Sequence, residues 1–192
     1  MPGRARMFVA LMLGPEAGDE LEAQVAASLG REDEELRRYG GDDLHMTLFF
    51  LGAVAGELRP DLEQALRGAL DPSLAPDLVL STPGAFPGPE RPRILWVGVD
   101  EEGPERLHEL ERSVRRACVG QGFTADPRPF AAHVTVARVA RRARGWQAPA
   151  AFFHLKCAIP WQPPGVALVE SLPPGGPTAY RPVRVFPFSS GH

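Results

Sequence analysis

Cysteine is scarce in this chain: Cys118 and Cys157 are the two among 192 residues. So few, so far apart, they do not form a disulfide framework and read as free thiols of a reducing compartment. No apolar run approaches the roughly 20 residues that a membrane span needs. Arg4-Ala5-Arg6 ahead of Met7–Leu13 has the outline of a leader. The run is short, however, Gly14-Pro15 interrupts it, and acidic residues follow without a small-residue cleavage site. Met7–Leu13 is therefore read as the first core strand of a cytoplasmic protein that does not associate with membranes. Positive charge is not in excess either. A net charge of −3 argues against a broad nucleic-acid binder, while leaving room for a compact site that grips one phosphate or one RNA end.

Several chemistries lack their motifs. No Cys-x-x-Cys, His-x-His or His-Glu-x-x-His spacing supplies the close ligand pairs usual for zinc. Asp42-Asp43, just before a strand, reads as a polar turn. No glycine-rich stretch ends in the Gly-Lys-Ser/Thr of a phosphate loop, and no Gly-x-Ser-x-Gly marks a serine hydrolase. Neither a metal nor a cofactor is expected.

What is present suffices for a core: 44 % of residues are apolar and 23 % charged. Glycine (20) and proline (21) predict many tight connections. Pro15 opens a helix closed by Gly30, with Leu21, Val25 and Leu29 on one face. The acidic run Glu32–Glu35 reads as a solvated loop. Pro60 opens a second helix lined by Leu62, Leu66 and Leu70. Pro104 opens a third, lined by Leu107, Leu110, Val114 and Ala117. Strands are expected at Leu78–Ser81, Ile94–Val99, Ala151–Cys157, Gly165–Ser171 and Tyr180–Phe188. Pro83–Pro89 is read as a turn-rich loop and Pro173–Pro177 as a turn. Pro182 and Pro187 suggest that the last strand lies at an edge or is broken. The order gives an α+β protein, with one domain over residues 1–192.

Against this background, one short pattern occurs twice. His45-Met46-Thr47-Leu48-Phe49-Phe50-Leu51-Gly52 is echoed by His133-Val134-Thr135-Val136-Ala137-Arg138, 88 positions later. Alternation in a strand points His at i and Thr at i+2 to the same side. Each strand thus presents an imidazole beside a hydroxyl, with Met46 and Leu48, or Val134 and Val136, behind. A separation of that length suggests two similar halves facing each other. The other histidines lack this setting: His108 and His154 read as surface residues and His192 is the last residue. Strict alternation puts Arg138 on the face opposite His133, so either the strand bulges or ends there, or the arginine reaches around its edge. Phe49 falls on the His45 face, as a stacking platform for a base or as core.

These residues resemble the paired motifs of the two-histidine phosphoesterase superfamily, in its bacterial and archaeal branch of RNA 2′,3′-cyclic phosphodiesterases, also called 2′-5′ RNA ligases. Met7–Leu13, Arg91–Gly98, Leu168–Ser171 and Gly175–Tyr180 are similar to further family segments in the same order. Ala132 and Leu44 depart from it, standing where proline and tryptophan are frequent. The resemblance implies a bilobal α+β fold, two antiparallel sheets backed by helices, with the histidines meeting in the cleft between them.

Opening a 2′,3′-cyclic phosphate by water requires one group to take a proton from water and another to protonate the departing ribose oxygen. Two imidazoles near pKa ~6.5 can share those tasks at neutral pH. Thr47 and Thr135 would donate hydrogen bonds to the non-bridging oxygens, and Arg138 is the candidate cation. By similarity, His45 is the acid on O3′ and His133 the base, leaving a 2′-phosphate. The expected partners are RNA ends bearing the cyclic phosphate, or small cyclic nucleotides, met by a monomer. Two alternatives remain: reversible ATP-independent 2′-5′ ligation, and a non-catalytic nucleotide- or RNA-binding module of the same fold.

Overall fold

A computed structural model of the chain describes residues 3–30, 34–143, 145–173 and 179–188. Glu32 and Asp33 of the acidic run, Arg144, the 174–177 part of the expected turn, positions 175–178 of the C-terminal pattern and His192 lie outside the described residues.

One antiparallel sheet runs through the molecule. Its strands are β1 (Arg4–Met12), β2 (Leu36–Arg38), β3 (His45–Ala55), β4 (Asp77–Phe86), β5 (Ile94–Glu102), β6 (His133–Val139), β7 (Ile159–Trp161), β8 (Gly165–Ser171) and β9 (Tyr180–Pro187). The order is β7-β4-β5-β6-β3-β1-β8-β9, with β2 on β6. It reads as two halves, because β6 and β3 join through a single residue pair, Met46 opposite Val134. Exchanging β3 with β6, β1 with β5, β8 with β4 and β9 with β7 maps the order onto itself. The two histidine strands are the innermost members.

The helices are α1 (Pro15–Leu29), α2 (Arg59–Ala69), α3 (Arg106–Gly120) and the single turn α4 (Ala150–Phe153). As the apolar spacings predict, Leu21, Val25 and Leu29 of α1 are buried, as are Leu62 and Leu66 of α2 and Leu107, Leu110 and Val114 of α3. Leu70 and Ala117 are partly buried at the margin. α3 starts two residues after Pro104, because the Glu101 carboxylate accepts the free N–H groups of Arg106 (2.8 Å) and Leu107 (2.9 Å). The helices bind the halves to each other: α1 packs on α4 and β7, while α3 packs on α2 and β3. Among the described residues no helix is long and apolar enough to cross a membrane.

Several expected boundaries change. Pro83–Phe86 is strand rather than loop, paired with Ile94–Val97 after a register shift that follows Leu80. Among the described residues no strand pairs with the far side of β4 beyond Leu80, so Pro83, which has no N–H, costs no ladder bond there. The first histidine strand continues past Gly52 to Ala55, because Gly52 adopts φ 73° and the ladder resumes beyond it. The strand expected at Ala151–Cys157 is absent. Pro149 and two alanines begin α4, which buries Phe152, and the edge position on β4 goes to Ile159–Trp161. His154 caps α4 and is exposed, like His108 on α3.

Close backbone approach at the outer end of β8 fixes one glycine. A Cβ at Gly165 would lie 2.3 Å from the Phe186 carbonyl oxygen and 2.7 Å from Pro187 Cα, and backbone cannot yield as a flexible side chain does. Gly165→Ala is expected to cost about 1–3 kcal/mol, read from the shift in urea midpoint.

Candidate active site

β3 and β6 begin with the same six-residue burial pattern: half-buried His, buried, half-buried Thr, buried, buried, exposed. The cause is a bulge after each threonine. Across from β3, Ala10 pairs with Thr47 but Val9 with Phe49, leaving Leu48 as the extra residue. Across from β6, Trp96 pairs with Thr135 but Leu95 with Ala137, leaving Val136 extra. One extra residue reverses the alternation from that point on.

Two sequence readings are settled by this. Arg138 returns to the face of His133 and Thr135 and is exposed there, so the bulge explanation holds. Phe49 turns inward: it is 5 % exposed and belongs to the main core, not to the histidine face. Its neighbour Phe50, 61 % exposed, occupies the position on β3 that Arg138 holds on β6. Both parity errors come from a backbone irregularity that residue types do not announce.

Continuing the antiparallel register from the Met46–Val134 pair sets His45 across from Thr135 and Thr47 across from His133. Each imidazole is held in the same way. His45 Nδ1 lies 2.7 Å from the Asp43 carbonyl oxygen, and His133 Nδ1 lies 2.7 Å from that of Ala131. A carbonyl can only accept, so Nδ1–H donates, and the neutral ring keeps its lone pair on Nε2. Neither threonine hydroxyl is engaged in a hydrogen bond among the described residues.

Aromatic rings enclose both histidines. Phe8 stacks on His45 at 4.7 Å between centroids, and Tyr180 meets its edge at 4.7 Å. Phe86 meets His133 at 5.2 Å and Trp96 lies 6.0 Å away. Tyr39 stacks on Tyr180 at 5.9 Å, and the Arg37 guanidinium lies over Tyr39. Asp43, read from sequence as a plain polar turn, ties the far end of the chain to this site. Its carboxylate accepts the Ala179 N–H at 2.8 Å and the Tyr180 N–H at 3.1 Å. Sequence reasoning missed Phe8, Tyr39, Tyr180, Phe86, Trp96 and Phe50, since each is an ordinary aromatic in an apolar strand or loop.

The enclosure sets the electrostatics. Burial pushes His45 down to about 4; the bond to the Asp43 carbonyl and the Asp43 charge oppose this, and Arg138 and His133 add to it. Burial also lowers His133, against its bond to the Ala131 carbonyl. Burial, reinforced by Tyr39, raises the Tyr180 phenol to about 12. The free thiols of Cys118 and Cys157 are buried and shifted upward, which leaves them protonated. Among the described residues no three His, Cys, Asp or Glu side chains cluster as metal ligands would. The face thus offers two proton-transfer groups, two hydroxyls and a guanidinium, a set suited to an anionic phosphorus centre.

The chain matches the family model of the 2'-5' RNA ligase superfamily over residues 15–172. It belongs to that superfamily. It is 42 % identical over 112 residues to an RNA 2',3'-cyclic phosphodiesterase of Geobacillus stearothermophilus, a match covering 58 % of this chain and 33 % of the relative. With an RNA 2',3'-cyclic phosphodiesterase of Archaeoglobus fulgidus it shares 39 % identity over 102 residues, 53 % of this chain and 54 % of that one. The matched regions thus span between a third and about half of these relatives' own lengths. The crystal structure of Escherichia coli LigT complexed with 3'-AMP superposes with a TM-score of 0.73 at 25 % identity, covering 97 % of this chain and 99 % of that chain. The superfamily member described here therefore has the LigT-type α+β architecture, in which the paired histidine strands form the centre of the sheet.

The depressed His45 has a consequence for stability. Unfolding returns the imidazole to its ordinary value of 6.5, so between pH 6.5 and about 4 the unfolded chain binds more protons. Stability contributed by neutral His45 is full above pH 6.5 and falls by about 3 kcal/mol as pH drops towards 4. Urea unfolding of the wild type and His45→Gln across that range should show the variant losing less stability on acidification. Parallel losses would place the acid sensitivity elsewhere.

Proposed function

We propose that this chain opens the 2′,3′-cyclic phosphate at an RNA end by metal-independent hydrolysis, leaving a 2′-phosphate. The observation that carries the proposal is the arrangement of two imidazoles about the Met46–Val134 pair, each with Nδ1 bound to a carbonyl, which leaves Nε2 as the nitrogen for proton transfer. In-line attack on phosphorus needs a base and an acid on opposite sides, and two groups related by a local dyad meet that need.

His133 takes a proton from water through Nε2. The resulting oxygen attacks phosphorus, the P–O3′ bond breaks, and protonated His45 delivers its proton to O3′. Each ring keeps its Nδ1–H on a backbone carbonyl, so the proton that is transferred enters and leaves at Nε2. The assignment of acid and base follows the family resemblance; Asp43 places a negative charge beside His45 that opposes the burial depressing it, and the matching residue beside His133 is Ala131. An arriving phosphate adds negative charge, which raises both imidazoles from their depressed values. Thr47 and Thr135 donate to the non-bridging oxygens, and Arg138 faces the charge that grows there.

Phe50, rather than Phe49, is positioned to stack on the terminal base. Every residue given a role above lies in one chain, and the reaction is assigned to a monomeric, bilobal unit spanning residues 1–192. Two buried, protonated thiols suit a reducing cytoplasm. The relatives named RNA 2',3'-cyclic phosphodiesterase support the substrate class.

Incubation with a short RNA ending in a 2′,3′-cyclic phosphate, in EDTA, should yield the 2′-phosphate. His45→Ala and His133→Ala should each lower kcat by about 10²–10⁴-fold. A 3′-phosphate as sole product would reverse the roles of the histidines, and turnover that survives either substitution would refute the two-histidine mechanism. Phe50→Ala should weaken substrate binding by about 1–3 kcal/mol, appearing in KM more than in kcat, whereas an unchanged KM would remove the stacking role.

A further inference from the structure

Despite its net charge of −3, the chain gathers unpaired arginines at one place beside the site. Arginines elsewhere, such as Arg59, Arg128 and Arg184, are neutralised by carboxylates. Arg91, Arg93, Arg138 and Arg141 enter no ion pair among the described residues, and all four are exposed. They line two adjoining hollows. One, of about 620 Å³, is bounded by Arg93, Ile94, Arg138, Val139 and Arg141. The next, of about 350 Å³, shares Arg93 and runs by Arg91 to Trp146, with Glu90 its one acidic wall.

The hollows begin at the catalytic face, since Arg138 stands on the side of His133 and Thr135. Their frame is firm. The Arg93 N–H donates to the Phe86 carbonyl at 2.7 Å, and its carbonyl accepts the Val139 N–H at 3.0 Å. Arg93 Nη1 donates to the Ala140 carbonyl at 3.3 Å, which directs the guanidinium along the end of β6. A row of cations leading from a phosphate site to a half-buried indole matches an extended single strand, whose charge repeats along its backbone and whose bases stack on aromatic faces. A mononucleotide would use none of this row beyond Arg138.

We propose that the hollows between Arg138 and Trp146 bind the RNA strand 5′ of its cyclic end, with Arg93 and Arg141 on successive backbone phosphates and a base against Trp146. The proposal rests on the reading of the site as an RNA-end phosphodiesterase, and it makes the preferred substrate an oligonucleotide.

The test separates the two. A fluorescein-labelled RNA octamer ending in a 2′-phosphate is titrated with wild-type protein and with Arg93→Ala/Arg141→Ala at several potassium chloride concentrations. Hydrolysis of 2′,3′-cyclic AMP is measured in parallel. The double variant should bind the octamer about tenfold more weakly. Its plot of log affinity against log salt should be shallower by about 1.4, the loss of two phosphate contacts on a single strand. Arg93→Lys/Arg141→Lys should keep most of the wild-type slope, and cyclic AMP turnover should be unaffected in both. Unchanged affinity and slope in the alanine variant would overturn the proposal, as would a lysine variant that falls as far as the alanine one. Failure of the wild type to open any cyclic phosphate would sink the phosphodiesterase reading instead, while the octamer titration would still decide whether this surface holds RNA.

Discussion

Everything at the site follows from one narrow junction, the pairing of Met46 with Val134. A longer ladder between β3 and β6 would zip the strands together and cover the residues that flank the pair. A single pair fixes the dyad and leaves the flanking residues His45, Thr47, His133 and Thr135 outside the ladder between the two strands. So short a junction could not hold two halves by itself. The crossed helices do that, with α1 on the far strand β7 and α3 on β3. The apolar faces that bury Leu21, Leu62, Leu66 and Leu110 thus supply the rigidity that the sheet gives up at its centre.

The bulges do the rest. Each strand spends one extra residue directly after its threonine, so the exposed position five residues beyond each histidine falls on the same face as that histidine. The halves then diverge chemically within an identical frame. One carries Phe50 at that position and the other Arg138. An aromatic ring and a guanidinium on opposite sides of a dyad make an otherwise symmetric pair of histidines chemically unequal.

Much of this was legible in the residues. The repeated His-x-Thr in apolar runs located both central strands. The i, i+4 leucine spacings located three helices, and Pro182 and Pro187 marked β9 as an edge. What stayed hidden was decided by backbone rather than by residue type. A bulge at Leu48 or Val136 leaves no compositional trace, so alternation gave the wrong face for Phe49 and an unresolved one for Arg138. Pro83 reads as a loop residue until its own strand, β4, proves to pair with β7 only as far as Leu80. Phe152 and His154 alternate as a strand would, yet tertiary packing draws Phe152 into the core and turns the backbone into one helical turn. Tyr180 lies far from His45 in sequence, and Asp43, which joins them, looks like any acid before a strand.

The same distinction explains how so few recognisable residues define the chemistry. The tautomer of each imidazole is set by a main-chain carbonyl, that of Asp43 or Ala131, and main-chain groups are not altered by changing a side chain. The enclosing rings contribute mainly desolvation, which several aromatic residues provide about equally well. His45 and His133 are therefore held neutral and oriented by features that need no particular sequence, and in the proposed reaction the charge that raises them towards working values comes with the phosphate itself. Protonation of the acid becomes coupled to the arrival of substrate, so a deeply depressed imidazole serves the proposed reaction: the proton is gained where the anion has entered and is given up as O3′ leaves.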